Sequence, residues 1–153
     1  MHYIGSKVHI DLTQLVKNYH LLSNEVGNIP IMATVKANAY GHGSVEVSKA
    51  LEKEGVKYLA VFTIEEGIEL REAGVQSDIL LYSKLNPHGI DSAIKHKLTL
   101  NISSFDDLEI LKRYNVQGHM LKVHLKIDTG MTRLGVAHNQ AEDFLRQARD
   151  IDH

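Results

Sequence analysis

Apolar positions along this chain switch repeatedly between a spacing near 3.6 residues and a spacing of two, the signatures of helix and strand. Leu12, Leu15, Val16, Tyr19, Leu22 and Val26 keep the helical spacing from an Asp11/Gln14 capping pattern to a stop at Gly27. A strand is expected over 29–37, then a helix over 45–54 with Gly55 in the C-terminal capping position. A second strand, 58–63, runs into the box Thr63-Ile-Glu-Glu66 and a helix to Ala73 that ends at Gly74. A third strand covers 78–83 and a fourth 98–102, with a weaker helical stretch over 87–97 between them. A helix over 104–114, a fifth strand over 120–128 and a last helix over 140–150 complete the pattern.

Strand and helix alternate one for one, which favours parallel βαβ units in a barrel or a doubly wound sheet. The two differ in what the strand faces carry. In Leu121-Lys-Val-His-Leu-Lys-Ile-Asp128 the odd positions are apolar and the even ones polar, and Met32, Thr34 and Lys36 share one side of the first strand. Doubly wound strands are apolar on both faces, whereas barrel strands near a catalytic mouth carry a polar inner face. The expected fold is therefore α/β, a (β/α)8 TIM-type barrel of which this chain holds about the first five units.

Composition adds few constraints. The 153 residues suffice for one domain with a real core, and the net charge of −2 offers no footprint for nucleic acid or an anionic membrane. There is no cysteine, which excludes disulfides and thiolate metal sites and suits a reducing cytoplasm. No stretch reaches membrane-spanning length. Ten histidines, among them His88, His96, His119 and His124, match no closed metal-ligand spacing, so no metal site is expected. The acidic run Glu65-Glu66 with Glu69-Leu-Arg71-Glu72 reads as a solvated helix face with local ion pairs.

The chemistry concentrates in two segments. In Met32-Ala-Thr-Val-Lys36-Ala-Asn-Ala-Tyr40-Gly-His-Gly43 an apolar approach delivers a single lysine to a strand end and breaks into a small-residue loop. At the C-terminal rim of a parallel barrel an amine is open to a carbonyl compound, and a neutral amine forms a Schiff base. Gly41 and Gly43 permit a tight turn into a helix starting near Ser44. The second segment is His124-Leu-Lys126-Ile-Asp128-Thr-Gly-Met-Thr-Arg133-Leu-Gly135. It places Arg133, a planar fork of donors, in a loop directly after a strand, where it can bind a carboxylate.

Together these segments resemble the alanine racemase family over nearly the whole chain, from Ile10-Asp11-Leu12 to the last helix. The resemblance implies a pyridoxal-phosphate enzyme, cytoplasmic and homodimeric, that interconverts L- and D-alanine for cell-wall synthesis. By the family pattern Lys36 holds pyridoxal 5'-phosphate and is one of two acid/base groups. Tyr40 reaches the cofactor phosphate, and Arg133 serves catalysis and cofactor binding. Lys126 matches a position that is carbamylated in many members; the alternative is a lysine paired with Asp128 or with a carboxylate outside this chain. The second base, a tyrosine of a partner subunit's second domain, matches no residue here. The rest of the barrel and a C-terminal β domain are expected to be absent, leaving a piece inactive alone. Other readings are a non-catalytic pyridoxal-phosphate barrel protein, or a related decarboxylase or serine-type racemase. The carrier class lacks the Ala-Asn-Ala-Tyr-Gly-His-Gly continuation present here.

Overall fold

The structure is a computed structural model that describes residues 7–27, 29–114 and 121–151. Helix α1 (Leu12–Val26) starts where Asp11 Oδ1 accepts the Gln14 amide at 3.0 Å and stops at Gly27, as the apolar spacing predicts. Five strands follow in one sheet: β1 (Met32–Thr34), β2 (Tyr58–Val61), β3 (Asp78–Leu81), β4 (Leu98–Ile102) and β5 (Val123–Leu125). All neighbouring pairs are parallel and the spatial order is the chain order, β1-β2-β3-β4-β5. A doubly wound sheet would reverse strand order at a switch point. A consecutive order is that of a barrel wall.

The crossovers are α2 (Lys36–Gly41) with α3 (Ser44–Lys53), then α4 (Ile64–Glu72), α5 (Ile90–Lys95) and α6 (Phe105–Arg113). The weak helical stretch resolves into a single 3-10 turn, Pro87–Gly89, and the short α5. Register explains the alternation. Leu59 pairs with Ala33 and Ile79, and Leu100 with Val123, which puts one apolar row under the helices. The other row runs through Thr34, Ala60, Leu80 and Thr99 along the concave face. Met32, Tyr58, Leu80, Thr99 and His124 line a groove of about 230 Å³ there.

Two expected strands are shorter than their apolar runs. β1 ends at Thr34, although the Val35 amide still reaches the Ala60 carbonyl at 2.9 Å. The fifth strand is broken at Lys126, whose amide bonds Ile102 O at 2.8 Å while its carbonyl accepts from Val136 at 3.1 Å. Beyond it β6 (Ile127–Asp128) leaves the main sheet and pairs in parallel with β7 (Val136–Ala137), a strand too short to show a period. Met120 and His119 lie outside the described residues.

Arg71 is not an ion-pair residue on a solvated face. It is turned to the foot of the sheet and donates to the carbonyls of His96, Val75, Ser77 and Lys97 at 2.7–3.1 Å. After β7 the last helix, α7 (Ala141–Arg149), closes over α6, and Phe144 meets Phe105 edge-on with centroids 5.3 Å apart. Phe144 is the largest of the fully buried side chains. Phe144→Ala is expected to destabilise the protein by about 3–5 kcal/mol, read as a shift in the denaturation midpoint at unchanged slope.

Candidate active site

The loop after β1 is a left-handed helical turn. Residues 37–40 have φ of 51–54° and ψ of 38–49°, the mirror image of ordinary helix. Each non-glycine residue there costs about 1–2 kcal/mol. The composition of Ala37-Asn-Ala-Tyr40 limits that cost. Alanine presents the smallest Cβ, and asparagine tolerates the left-handed region better than most residues. Local bonds offset more of it: Ala39 N–H to Val35 O at 2.8 Å, Gly43 N–H to Asn38 O at 3.0 Å, and Ser44 N–H to Asn38 Oδ1 at 2.8 Å. The last of these caps α3, so Asn38 ties the turn to the following helix.

Lys36 begins this turn, half-buried, with its Nζ 5.7 Å from the centroid of the Phe62 ring at the end of β2. A ring face at that distance attracts a cation and covers it from one side. Tyr40 ends the turn and is 63% exposed. The backbone after Lys36 is held from another element. Glu66 Oε1 accepts the Ala37 amide at 2.6 Å, while its Oε2 accepts those of Phe62 and Thr63 at 2.7 and 3.1 Å. Glu66 is therefore not part of a solvated face. Its place in a capping box was visible from Thr63-x-x-Glu66, but its reach to a second loop was not.

Arg133 lies between β6 and β7, at the C-terminal rim that also carries Lys36. Asp128 Oδ1 shapes its loop by accepting the Gly130 and Thr132 amides at 2.9 and 3.0 Å, a turn that Asp followed shortly by Gly announces. Gly135, at φ 108°, closes the loop against β6; a Cβ there would sit 2.7 Å from Asp128 N and 2.9 Å from Lys126 O. Only glycine lets the chain return close enough for β7 to pair. The exposed guanidinium of Arg133 contacts only the Met131 thioether, at 2.8 Å, among the described residues. A thioether is a weak acceptor, so most of its donor fork faces solvent.

Lys126 is exposed at the strand break, and no carboxylate lies within ion-pair distance of it among the described residues. It is not paired with Asp128, although its positive charge acts on that carboxyl at longer range. The structure thus places Lys36 and Tyr40 on one turn and Arg133 and Lys126 around the end of the fifth strand. β1 and β5 are the two edges of the sheet, and no hydrogen bond joins the two groups among the described residues. No group of three or more metal-ligating side chains converges among the described residues, and no helix there is long and apolar enough to cross a membrane.

The family model for the alanine racemase N-terminal domain matches residues 10–153. The chain belongs to the alanine racemase N-terminal domain family. It is 41% identical over 137 residues to the alanine racemase of Staphylococcus carnosus, covering 88% of this chain and 35% of that protein. A solved alanine racemase from Clostridium difficile superposes with a TM-score of 0.86 at 36% identity, over 94% of this chain and 38% of that one. A histidine racemase from Leuconostoc mesenteroides shares the fold at a TM-score of 0.84 but only 23% identity, over 94% of this chain and 39% of that one. The chain thus spans between a third and two fifths of the length of these relatives. As in this family, the sheet is the wall of an α/β barrel, represented here by its first units.

The Asp128 carboxyl is held below its ordinary value by the Thr132 amide first and the Gly130 amide next, with the Lys126 charge assisting. A depressed folded-state pKa contributes order that is present above the unfolded value and lost as pH falls through the folded one. Protection of the Gly130 and Thr132 amides, followed by hydrogen exchange, is therefore expected to persist on acidification past the ordinary aspartate range. It should vanish only below it, and Asp128→Ala should abolish it at every pH.

Proposed function

We propose that this chain contributes the cofactor-holding turn of a pyridoxal-phosphate-dependent alanine racemase, which interconverts L- and D-alanine in the cytoplasm as a homodimer. The observation that carries the reading is the Lys36 turn: a half-buried primary amine against an aromatic ring at the C-terminal rim of a parallel barrel wall. The donor set fits pyridoxal phosphate. Lys36 is an amine for its aldehyde carbon, Tyr40 an exposed hydroxyl for its phosphate, and Arg133 a guanidinium without a carboxylate partner among the described residues.

When bound, pyridoxal phosphate supplies an electron-withdrawing ring that acidifies the Cα–H of an amino acid joined at its aldehyde carbon. Lys36 would hold the group through its amine, and once the amino group of the substrate displaces it from the aldehyde carbon the freed amine would remove or return a proton at Cα on the face it covers. Tyr40 orients the phosphate through its hydroxyl. Arg133 binds an anionic oxygen with its donor fork, and the Asp128 turn keeps the guanidinium over the rim. Lys126, carbamylated, supplies an anion that orients Arg133. The barrel alone does not choose the amino acid, since the histidine racemase has it too; alanine rests on the 41% identity to an alanine racemase.

In the complete protein, borohydride reduction with pyridoxal phosphate is expected to leave a stable mass increment on the peptide containing Lys36. Lys36→Ala should lose that increment and racemise alanine at least about 100-fold more slowly, the usual scale for losing an acid/base group. Full turnover with the label elsewhere would refute the assignment.

Inversion needs a proton taken from one face and returned on the other, and Lys36 serves one face. The opposite face is left to a group that residues 1–153 do not supply, which the family resemblance puts on the second domain of a partner subunit. Residues 1–153 expressed alone with saturating pyridoxal phosphate should show no conversion of L- to D-alanine by chiral chromatography. Turnover within about tenfold of a complete racemase, a barrier difference near 1.4 kcal/mol, would require a second base here, with Tyr40 the first residue to test.

A further inference from the structure

We propose that Glu66 is the positioning residue of the Lys36 amine, an inference that rests on the cofactor role of Lys36 given above. Its carboxylate fixes both the backbone that carries Lys36 and the ring against which Lys36 lies. A capping box needs one bond from the acid back to the N-cap amide, here Thr63. Glu66 makes two more. Oε2 also accepts the Phe62 amide at 2.7 Å, and Oε1 turns away from α4 to accept the Ala37 amide at 2.6 Å.

Those two bonds are specific to the site. After Val35 bonds Ala60, the next ladder donor along the edge of β1 is Ala37, and its continuing acceptor would be Phe62 O. That carbonyl is taken by the Ser83 amide at 3.2 Å, and the left-handed turn carries the Ala37 amide off the ladder. Glu66 supplies the acceptor the sheet does not. Phe62, held by the other oxygen of the same carboxylate, places its ring 5.7 Å from Lys36 Nζ. The carboxylate and Nζ form no ion pair, so Glu66 acts through the backbone and not by charge contact with the amine.

Two acceptor oxygens on opposite sides are required, and glutamine has one. Glu66→Gln can keep the cap or the Ala37 bond but not both. In the complete protein, hydrogen exchange in the 36–41 segment is expected to accelerate at least about tenfold while α4 keeps its protection. Borohydride-trapped labelling of Lys36 by pyridoxal phosphate should slow by a similar factor, and kcat for alanine should fall more than KM rises. Thr63→Ala is the control: it removes the other half of the box, lowers Tm, and should leave Lys36 labelling unchanged. Glu66→Asp, one methylene short, should behave like Glu66→Gln at Ala37.

Unchanged labelling and unchanged exchange in both Glu66→Gln and Glu66→Asp would overturn the proposal. So would Thr63→Ala slowing the labelling as much as Glu66→Gln, because capping alone would then account for both. If the unaltered protein takes no label on Lys36, the cofactor reading fails by itself. The exchange measurement then decides: acceleration confined to 36–41 supports the clamp, and its absence overturns it.

Discussion

A parallel sheet runs short of acceptors at its C-terminal rim, because each strand turns into a crossover before the donors beside it have been satisfied. A backbone amide left without a partner away from water costs about as much as a lost hydrogen bond. The rim of this protein is organised by that demand. Val35, Tyr82 and Lys126 lie past the ends of their strands yet still bond Ala60, Val61 and Ile102 across the ladder. Where the ladder gives out, carboxylates take over. Glu66 serves β2 and the turn after β1, and Asp107 accepts the Ser103 amide at 2.7 Å just past β4. Each acid sits in the first turn of the next helix, where its charge also suits the helix dipole.

The left-handed turn follows from this constraint. A chain leaving β1 in a right-handed turn would keep its amides near the ladder axis. The mirror conformation redirects them, so that Ala39 bonds Val35, Asn38 caps α3, and Ala37 reaches Glu66. Four residues in an unfavourable region persist because bonds from β1, α3 and α4 all require the same backbone path. Strain of this kind is localised in the four residues directly after Lys36, and a rigidly held lysine backbone suits the proton transfer proposed for it.

The architecture was legible because its periods are long and its punctuation explicit. Asp11, Thr63 and Ser104 cap helices, Gly27 follows the end of α1, and five apolar runs of similar length alternate with helices. The polar inner row led to a barrel, which the consecutive strand order bears out. What could not be read is decided by contacts between distant segments. β1 looked longer because Ala37 and its neighbours have ordinary side chains; only their dihedrals depart. β5 looked continuous because a change of partner at Lys126 leaves the alternation intact. Glu66 and Arg71 looked like surface charges because their side-chain bonds span 29 and up to 26 residues.

The same reasoning accounts for the second half of the site. At Lys126 one residue serves two neighbours, its amide donating to β4 and its carbonyl accepting from Val136. That handover turns the strand away from β4, and everything after it depends on Gly135 letting the chain return against Ile127 and Asp128. A side chain at 135 would push β7 off β6 and move the loop that carries Arg133, although neither Gly135 nor β7 has any chemistry of its own. Lys36 and Arg133 are thus placed by different means, one by a carboxylate from a helix and the other by a close backbone approach. Both means act on the main chain, and both leave the side chain without a strong partner among the described residues, which is the state that the proposed ligand-binding amine and guanidinium require.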